Sequence, residues 1–303
     1  MVKRIFLVFF LLFFSLFFVS PQQEITDREV EVGIYVLNLG RFDISTGSFT
    51  VDFYMSFKCE NRCPKLDFEF MNGRANTIEK IFENEKEKFY RIQANLISPI
   101  DLRKFPFDRQ IMQIIIEDKK TASSELVFLP NKKESGIDKS IFFTGWIVEN
   151  WTARSEEHLY EIYNEKYSRF IFEIPISRIK TNSIFKTFLP VIFIMLVMLS
   201  SFILDPDKIT TRLSMVGSAL IASVMFHVSL SNQLPPLGYL TFIDKFMLIN
   251  YFIILISFLF NVVLLELVER KKEEKVKKLH KITEFTIFII VLILYFILFI
   301  FFI

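Results

Sequence analysis

Cysteine is nearly absent: the 303 residues hold two, Cys59 and Cys63, in the run Cys-Glu-Asn-Arg-Cys. Two thiols are too few ligands for a zinc ion. In an exported segment so close a pair reads instead as a short disulfide at a hairpin tip. Histidine is also scarce, at three residues. Only His158 lies ahead of the apolar C-terminal part, and a lone histidine there is expected to be solvated. The eight glycines form no nucleotide-binding loop, and no set of acid, base, nucleophile or metal ligands converges. These absences argue against an enzyme and imply neither a cofactor nor a metal. An excess of one charge is missing as well: the net charge of +2 leaves no electrostatic footprint for nucleic acid.

Apolar sequence is what the chain has in abundance. It is 52% hydrophobic with mean hydropathy +0.39 and contains 38 phenylalanines. Lys3 and Arg4 precede an apolar run over residues 5–19, the pattern of a secretory signal over residues 1–20. The residues Phe18-Val19-Ser20 make a poor cleavage site, so an uncleaved anchor is the alternative; either one exports the domain after it. Residues 21–182 read as a β-sandwich. Val30, Val32, Ile34 and Val36 alternate with polar residues. Phe49, Val51, Phe53, Met55 and Phe57 do the same against Thr50, Asp52, Ser56 and Lys58, and so do Phe170, Phe172, Ile174 and Ile176. Leu66, Phe68 and Phe70 make a shorter strand. A period of two repeated over about 150 residues predicts eight to ten strands in two layers.

Residues 183–303 read as a membrane domain of four helices, at about 184–204, 209–232, 239–268 and 282–303. Each is long enough to cross a ~30 Å apolar core at ~1.5 Å per residue. Residues 269–281 are expected to form a linker, and they carry Arg270, Lys271, Lys272, Lys275, Lys277, Lys278 and Lys281. The positive-inside rule places that linker in the cytoplasm. With four spans, the β-domain and the C-terminus then lie outside, as an export signal also requires.

The second span differs from the other three in composition. Ser214, Ser218, Ile221, Met225 and Val228 recur at spacings of four and three, which makes one helical stripe, and Thr210 one turn earlier joins the expected pore-lining set. The stripe is hydroxylated in one half and apolar in the other. Hydroxyl rings can replace part of an ion's hydration shell, and rings of Ile221 and Met225 can form a constriction that dewets. Close packing of small residues is the competing explanation. Asp205, Asp207, Lys208 and Arg212 stand ahead of the stripe, which suits an ion vestibule, and Pro235-Pro236-Leu237-Gly238-Tyr239 ends it. Earlier in the chain, Phe105-Pro106-Phe107-Asp108 puts a proline between two phenylalanines. Proline fits neither a helix interior nor a central strand, so the run reads as a rigid turn with two large apolar side chains pointing outward.

The run 98–110, Ser-Pro-Ile-Asp-Leu-Arg-Lys-Phe-Pro-Phe-Asp-Arg-Gln, resembles the signature loop of pentameric ligand-gated ion channels. Ser98 and Met112 stand where animal members carry the bridging cysteines, so the chain looks like the prokaryotic, cysteine-less type. Phe143-Thr144-Gly145-Trp146, Ile176-Ser177-Arg178 followed by Leu189-Pro190, and the pore helix through Tyr239-Leu240-Thr241 resemble the family in order and spacing. The resemblance implies a homopentamer in a bacterial inner (plasma) membrane that passes monovalent ions in response to an unidentified small-molecule or ionic agonist. It implies that Phe105, Pro106, Phe107 and Asp108 touch the Pro235, Pro236 and Tyr239 loop, with Asp108 paired to Arg178, and that Ile221 and Met225 gate the pore. Lys119, Tyr160, Tyr163 and Tyr167 fall where agonist contacts would be. Gly47 stands near the position of a sensing carboxylate in proton-gated members. Thr210 and Thr211 occupy the place of the glutamate ring usual in cation channels. Cation conduction is the expectation, an anion-selective channel the alternative. A non-conducting, membrane-anchored binding or assembly protein that reuses the fold is the reading from another class.

Overall fold

The computed structural model describes residues 28–302, so the signal segment expected over residues 1–20 lies outside the described residues. The alternating residues form strands β1 (Glu29–Asp43), β2 (Ser48–Lys58), β3 (Phe68–Phe70), β4 (Gly73–Glu83), β5 (Glu87–Ile97), β6 (Arg109–Asp118), β7 (Val127–Pro130), β8 (Gly136–Ile137), β9 (Trp146–Val148), β10 (Thr152–Tyr160) and β11 (Glu165–Arg178). One sheet has the order β4-β5-β2-β1-β7, with β8 also on β1; the other runs β10-β11-β6-β3, with β9 on β11. The register puts Phe53 between Val36 of β1 and Ile92 of β5, and Phe172 opposite Ile114. All five are fully buried. Every second residue of each central strand thus enters one core between two sheets, each large side chain contributing ~1.5–3 kcal/mol.

The turns between strands are tied down as well. Gly47 turns the chain from β1 into β2 at φ +74°, a left-handed conformation that a side chain disfavours. Its carbonyl accepts from Ser98 N at 3.0 Å. The turn is thereby tied to the start of the Pro106 loop, and a Cβ at position 47 would collide with the Ser98 backbone. Cys59 and Cys63 are disulfide-bonded just after β2. Edge strand β4 carries charges, which guard a sheet edge, but it also exposes Ile78, Ile81 and Phe82.

The C-terminal part contains four helices: α1 (Lys180–Ser200), α2 (Ile209–Ser231), α3 (Phe242–Glu269) and α4 (Glu273–Phe302). All four are long and apolar enough to cross a membrane. Helix α1 starts four residues ahead of the expected 184 and is extended by a 3-10 turn at Ser201–Ile203. Helix α3 starts at Phe242, not 239, because Thr241 and Asp244 form a reciprocal capping box, which fixes a helix start. The linker expected over 269–281 is a correction. The turn is confined to residues 270–272, with Lys271 at φ 56°, and α4 begins at Glu273. Lysine and glutamate are good helix formers, and acidic residues suit a first turn. Val276 is buried with Ile209 and Leu264, and Leu279 packs against them. Hydropathy marks only the apolar stretch of such a helix; its charged foot is helical for other reasons.

Candidate functional site

The Pro106 loop sits between the sandwich and the helices. Its two phenylalanines do leave the β-domain, but they enter the bundle and not water. Phe105 is buried with Leu102 among side chains of α1 and α3. The Phe107 ring stacks on Phe188 of α1 at 5.7 Å and tilts over Phe242 of α3 at the same distance. The Asp108 side chain is 1% exposed and accepts from Arg178 Nε at 2.8 Å and Nη2 at 3.2 Å. Gln110 Nε2 donates to the same carboxylate at 2.9 Å. The Arg178 guanidinium lies 4.4 Å from the Trp146 ring centroid and 5.1 Å from that of Phe105. A buried carboxylate with three charge-assisted or amide donors is satisfied, and the fork geometry fixes its orientation. Arg178 ends β11 and α1 begins two residues later, so this pair clamps the point where the chain passes from sheet to helix.

The loop after α2 meets the Pro106 loop through backbone groups. Tyr239 Oη accepts from Leu102 N at 2.9 Å, and Phe242 N donates to Arg103 O at 2.8 Å. Pro235 and Pro236, with Leu237, instead line a cavity of about 770 Å³ that reaches Ser45 and Thr46 of the β1–β2 turn. The structure therefore brings Phe105, Phe107, Asp108, Arg178 and Tyr239 into one junction, with the two prolines at its side.

Helix α2 has two opposite stripes. Ile209, Arg212, Val216, Ala219, Ser223 and Leu230 are buried in the bundle. Thr210, Ser214, Ser218, Ile221, Met225 and Val228 are exposed, with Ile221 and Met225 at 66% and 68%. The two sets fall on opposite sides of a 3.6-residue helix. Arg212 departs from the vestibule position that its place in the sequence suggests. It is fully buried, its Nη1 is 3.4 Å from His280 Nδ1 of α4, and its guanidinium is 5.1 Å from the Phe202 ring. Asp205, Asp207 and Lys208 remain exposed.

Sequence reasoning missed His227, whose signal was a single titratable residue inside an apolar span. Its Nε2 is 3.0 Å from Asp244 Oδ1, and its Nδ1 is 2.8 Å from Tyr251 Oη. Both partners belong to α3, so the imidazole staples α2 to α3. His227→Phe keeps the ring but removes both bonds. It is expected to cost about 1–3 kcal/mol, read as a lower thermal midpoint of the detergent-solubilised protein. An unchanged midpoint would show the staple to be inert.

The four residues suggested for an agonist do not form one box. Lys119 Nζ is held by Asp67 Oδ1 at 2.7 Å. Lys119 and Lys120 keep the Asp67 carboxyl below its ordinary range. The Tyr160 hydroxyl donates to Glu117 at 2.8 Å, and Arg169 Nε donates to the same carboxylate at 2.5 Å. Burial first, and the Glu117 carboxylate second, raise the Tyr160 hydroxyl above its usual pKa, so it stays a donor. Tyr167 meets Tyr160 edge-on at 5.6 Å. Tyr163 stands apart at the hairpin tip, 72% exposed. On the other sheet Tyr54 stacks on Phe89 at 5.3 Å, and Phe89 on Phe82 at 5.5 Å. The signal for this aromatic strip lay in the outward-facing positions of β2 and β5.

A β-sandwich joined through a Pro loop to four helices long and apolar enough to cross a membrane matches the architecture of the Cys-loop pentameric channel superfamily, and the chain is a homologue of two of its members. It is 23% identical over 261 residues to the "Proton-gated ion channel" of Gloeobacter violaceus, covering 77% of this chain and 72% of that one. It is 25% identical over 214 residues to the human "5-hydroxytryptamine receptor 3B", covering 69% of this chain and 46% of the receptor. No protein-family model matches the chain.

Proposed function

We propose that the chain is the subunit of a ligand-gated channel in which five copies surround a pore lined by Thr210, Ser214, Ser218, Ile221, Met225 and Val228. The observation that carries this reading is the exposed stripe of α2, with hydroxyls in one half and Ile221 and Met225 in the other. A lipid-facing helix gains nothing from hydroxyls, whereas a water-lining one does. The apolar residues Ile78, Ile81 and Phe82 exposed on β4 suit a contact between copies. The permeant ions are monovalent cations, drawn by the exposed Asp205 and Asp207 at the foot of α2. The β-domain and C-terminus lie outside a bacterial plasma membrane, with the lysine-rich turn in the cytoplasm. A stimulus at the β-domain, a small molecule or an ion, shifts a closed–open equilibrium by its differential affinity for the two states.

The test uses the chain's paucity of thiols. Cys59 and Cys63 are bonded to each other and are the only cysteines in the sequence, so an introduced cysteine is the sole reactive one. In oocytes expressing Ser218→Cys, a charged methanethiosulfonate reagent is expected to block most of the current evoked by pH steps or a ligand panel. Reversal potentials in diluted salt then give the sign of the permeant ion. Labelled flanking loops together with an unreactive position 218 in every condition would overturn the pore assignment.

A further inference from the structure

Arg212 is fully buried, yet no carboxylate bonds it among the described residues, and its Nε and Nη2 have no hydrogen-bond partner there. Its polar contact is His280 of α4, whose Nδ1 lies 3.4 Å from Nη1; the guanidinium also faces the Phe202 ring at 5.1 Å. A guanidinium donates through every nitrogen and keeps its charge. The imidazole nitrogen that meets it must therefore offer a lone pair, so the ring is neutral and carries its hydrogen on Nε2. The charged groups acting on this imidazole are Arg212 from α2, Asp205 from the turn ahead of α2 and Glu284 from α4 itself. Glu284 also acts on Arg212. It is half-buried but hydrogen-bonded to neither among the described residues. From α3 this part of α4 meets the apolar Leu264 and Leu265.

We propose that His280 is a proton-operated latch between the foot of α4 and the first turn of α2. Neutral, it accepts from Arg212 and holds the two helices together; protonated, it lets them part. A proton on Nδ1 removes the acceptor and sets a second positive charge 3.4 Å from the first, out of the solvent that would screen it. One half-buried carboxylate cannot offset two cations, and Asp205 is exposed. The proton has a route, because His280 is only half-buried. An ordinary imidazole takes up its proton near pH ~6.5, so acid opens the latch and base closes it. Arg212 lies between Thr210 and Ser214 in α2. That the latch bears on the pore, and that its proton comes from the cytoplasm, rests on the function proposed above; the latch itself requires neither a pentamer nor conduction.

Amide hydrogen exchange of the full chain in detergent tests this on the unaltered protein, compared in neutral buffer and in mild acid and corrected for the intrinsic pH dependence of exchange. Loss of a hydrogen bond to a charged group corresponds to roughly tenfold to a hundredfold in a local opening equilibrium. We expect the amides around His280 to exchange faster by that factor in acid. His280→Gln, which keeps a neutral acceptor, should abolish the difference. His280→Lys should exchange in neutral buffer as the unaltered chain does in acid, and His158→Gln in the β-domain should leave the acid effect in place. Equal protection of the unaltered chain in both buffers would overturn the proposal, as would an acid effect that survives in His280→Gln. In inside-out patches, acid on the cytoplasmic face should shift the stimulus for half-maximal current by about threefold or more, and should not do so in His280→Gln. Acid-loosened exchange in a chain that passes no current would leave the latch standing and count against the pore reading alone.

Discussion

Asp108→Ala is expected to destabilise the subunit by roughly 3–5 kcal/mol, the cost of breaking a buried pair by removing one partner. The Arg178 side chain is 19% exposed and would stay between Trp146 and Phe105 without its anion. Gln110 Nε2 would also lose an acceptor, keeping only Asp101 O at 2.7 Å. The measurement is thermal unfolding of the purified protein, paired with current recordings. Under the proposed function the variant should also need far more stimulus to open, because the clamp between β11 and α1 is lost. Arg178→Lys keeps the charge but not the two-pronged geometry, and should fall between the parent and Asp108→Ala. The double replacement Asp108→Ala/Arg178→Ala should cost much less than the sum of the two single ones. Strict additivity would mean that the two groups do not act as a pair.

The second large effect is expected at the apolar end of the α2 stripe. In a pentamer Ile221→Ala removes three carbons from each of five side chains around one constriction. At ~0.8 kcal/mol per apolar carbon, loss of only a few of these from the closed-state seal amounts to over about 2 kcal/mol. That corresponds to a roughly thirtyfold shift of the closed–open equilibrium. Resting current should therefore rise, and the stimulus required should fall; Met225→Ala should act in the same direction. Surface biotinylation controls for expression. Unchanged resting current and sensitivity in both variants at normal surface levels would place the gate elsewhere.

Much of the fold was legible because it rests on periodicities. Strands such as β2, with Phe49, Val51, Phe53, Met55 and Phe57 inward, cannot be read another way. The opposite stripes of α2 also follow from spacing alone. The pairing of Asp108 with Arg178 comes from resemblance, since 70 residues separate them and no local pattern links them. What was not legible has two causes. Hydropathy reports where a helix is apolar, so the charged foot of α4 reads as a linker, although Val276 and Leu279 recur at helical spacing. A lone polar residue, in turn, does not announce its partner. His227 reads as an interruption of an apolar run until Asp244 and Tyr251 are placed beside it, and Arg212 reads as a rim charge until α4 covers it.

One contact at the junction bears on how the subunit is made. The first turn of any helix leaves amide hydrogens without partners inside the helix. In α3, Thr241 and Asp244 occupy part of that need, but the amide of Phe242 is met by the carbonyl of Arg103, which belongs to the other domain. Until the β-domain has folded and settled on it, α3 holds that donor open. Completion of the first turn of α3 is thus conditional on the maturity of the sandwich, and a chain with a misfolded sandwich would carry a frayed helix end.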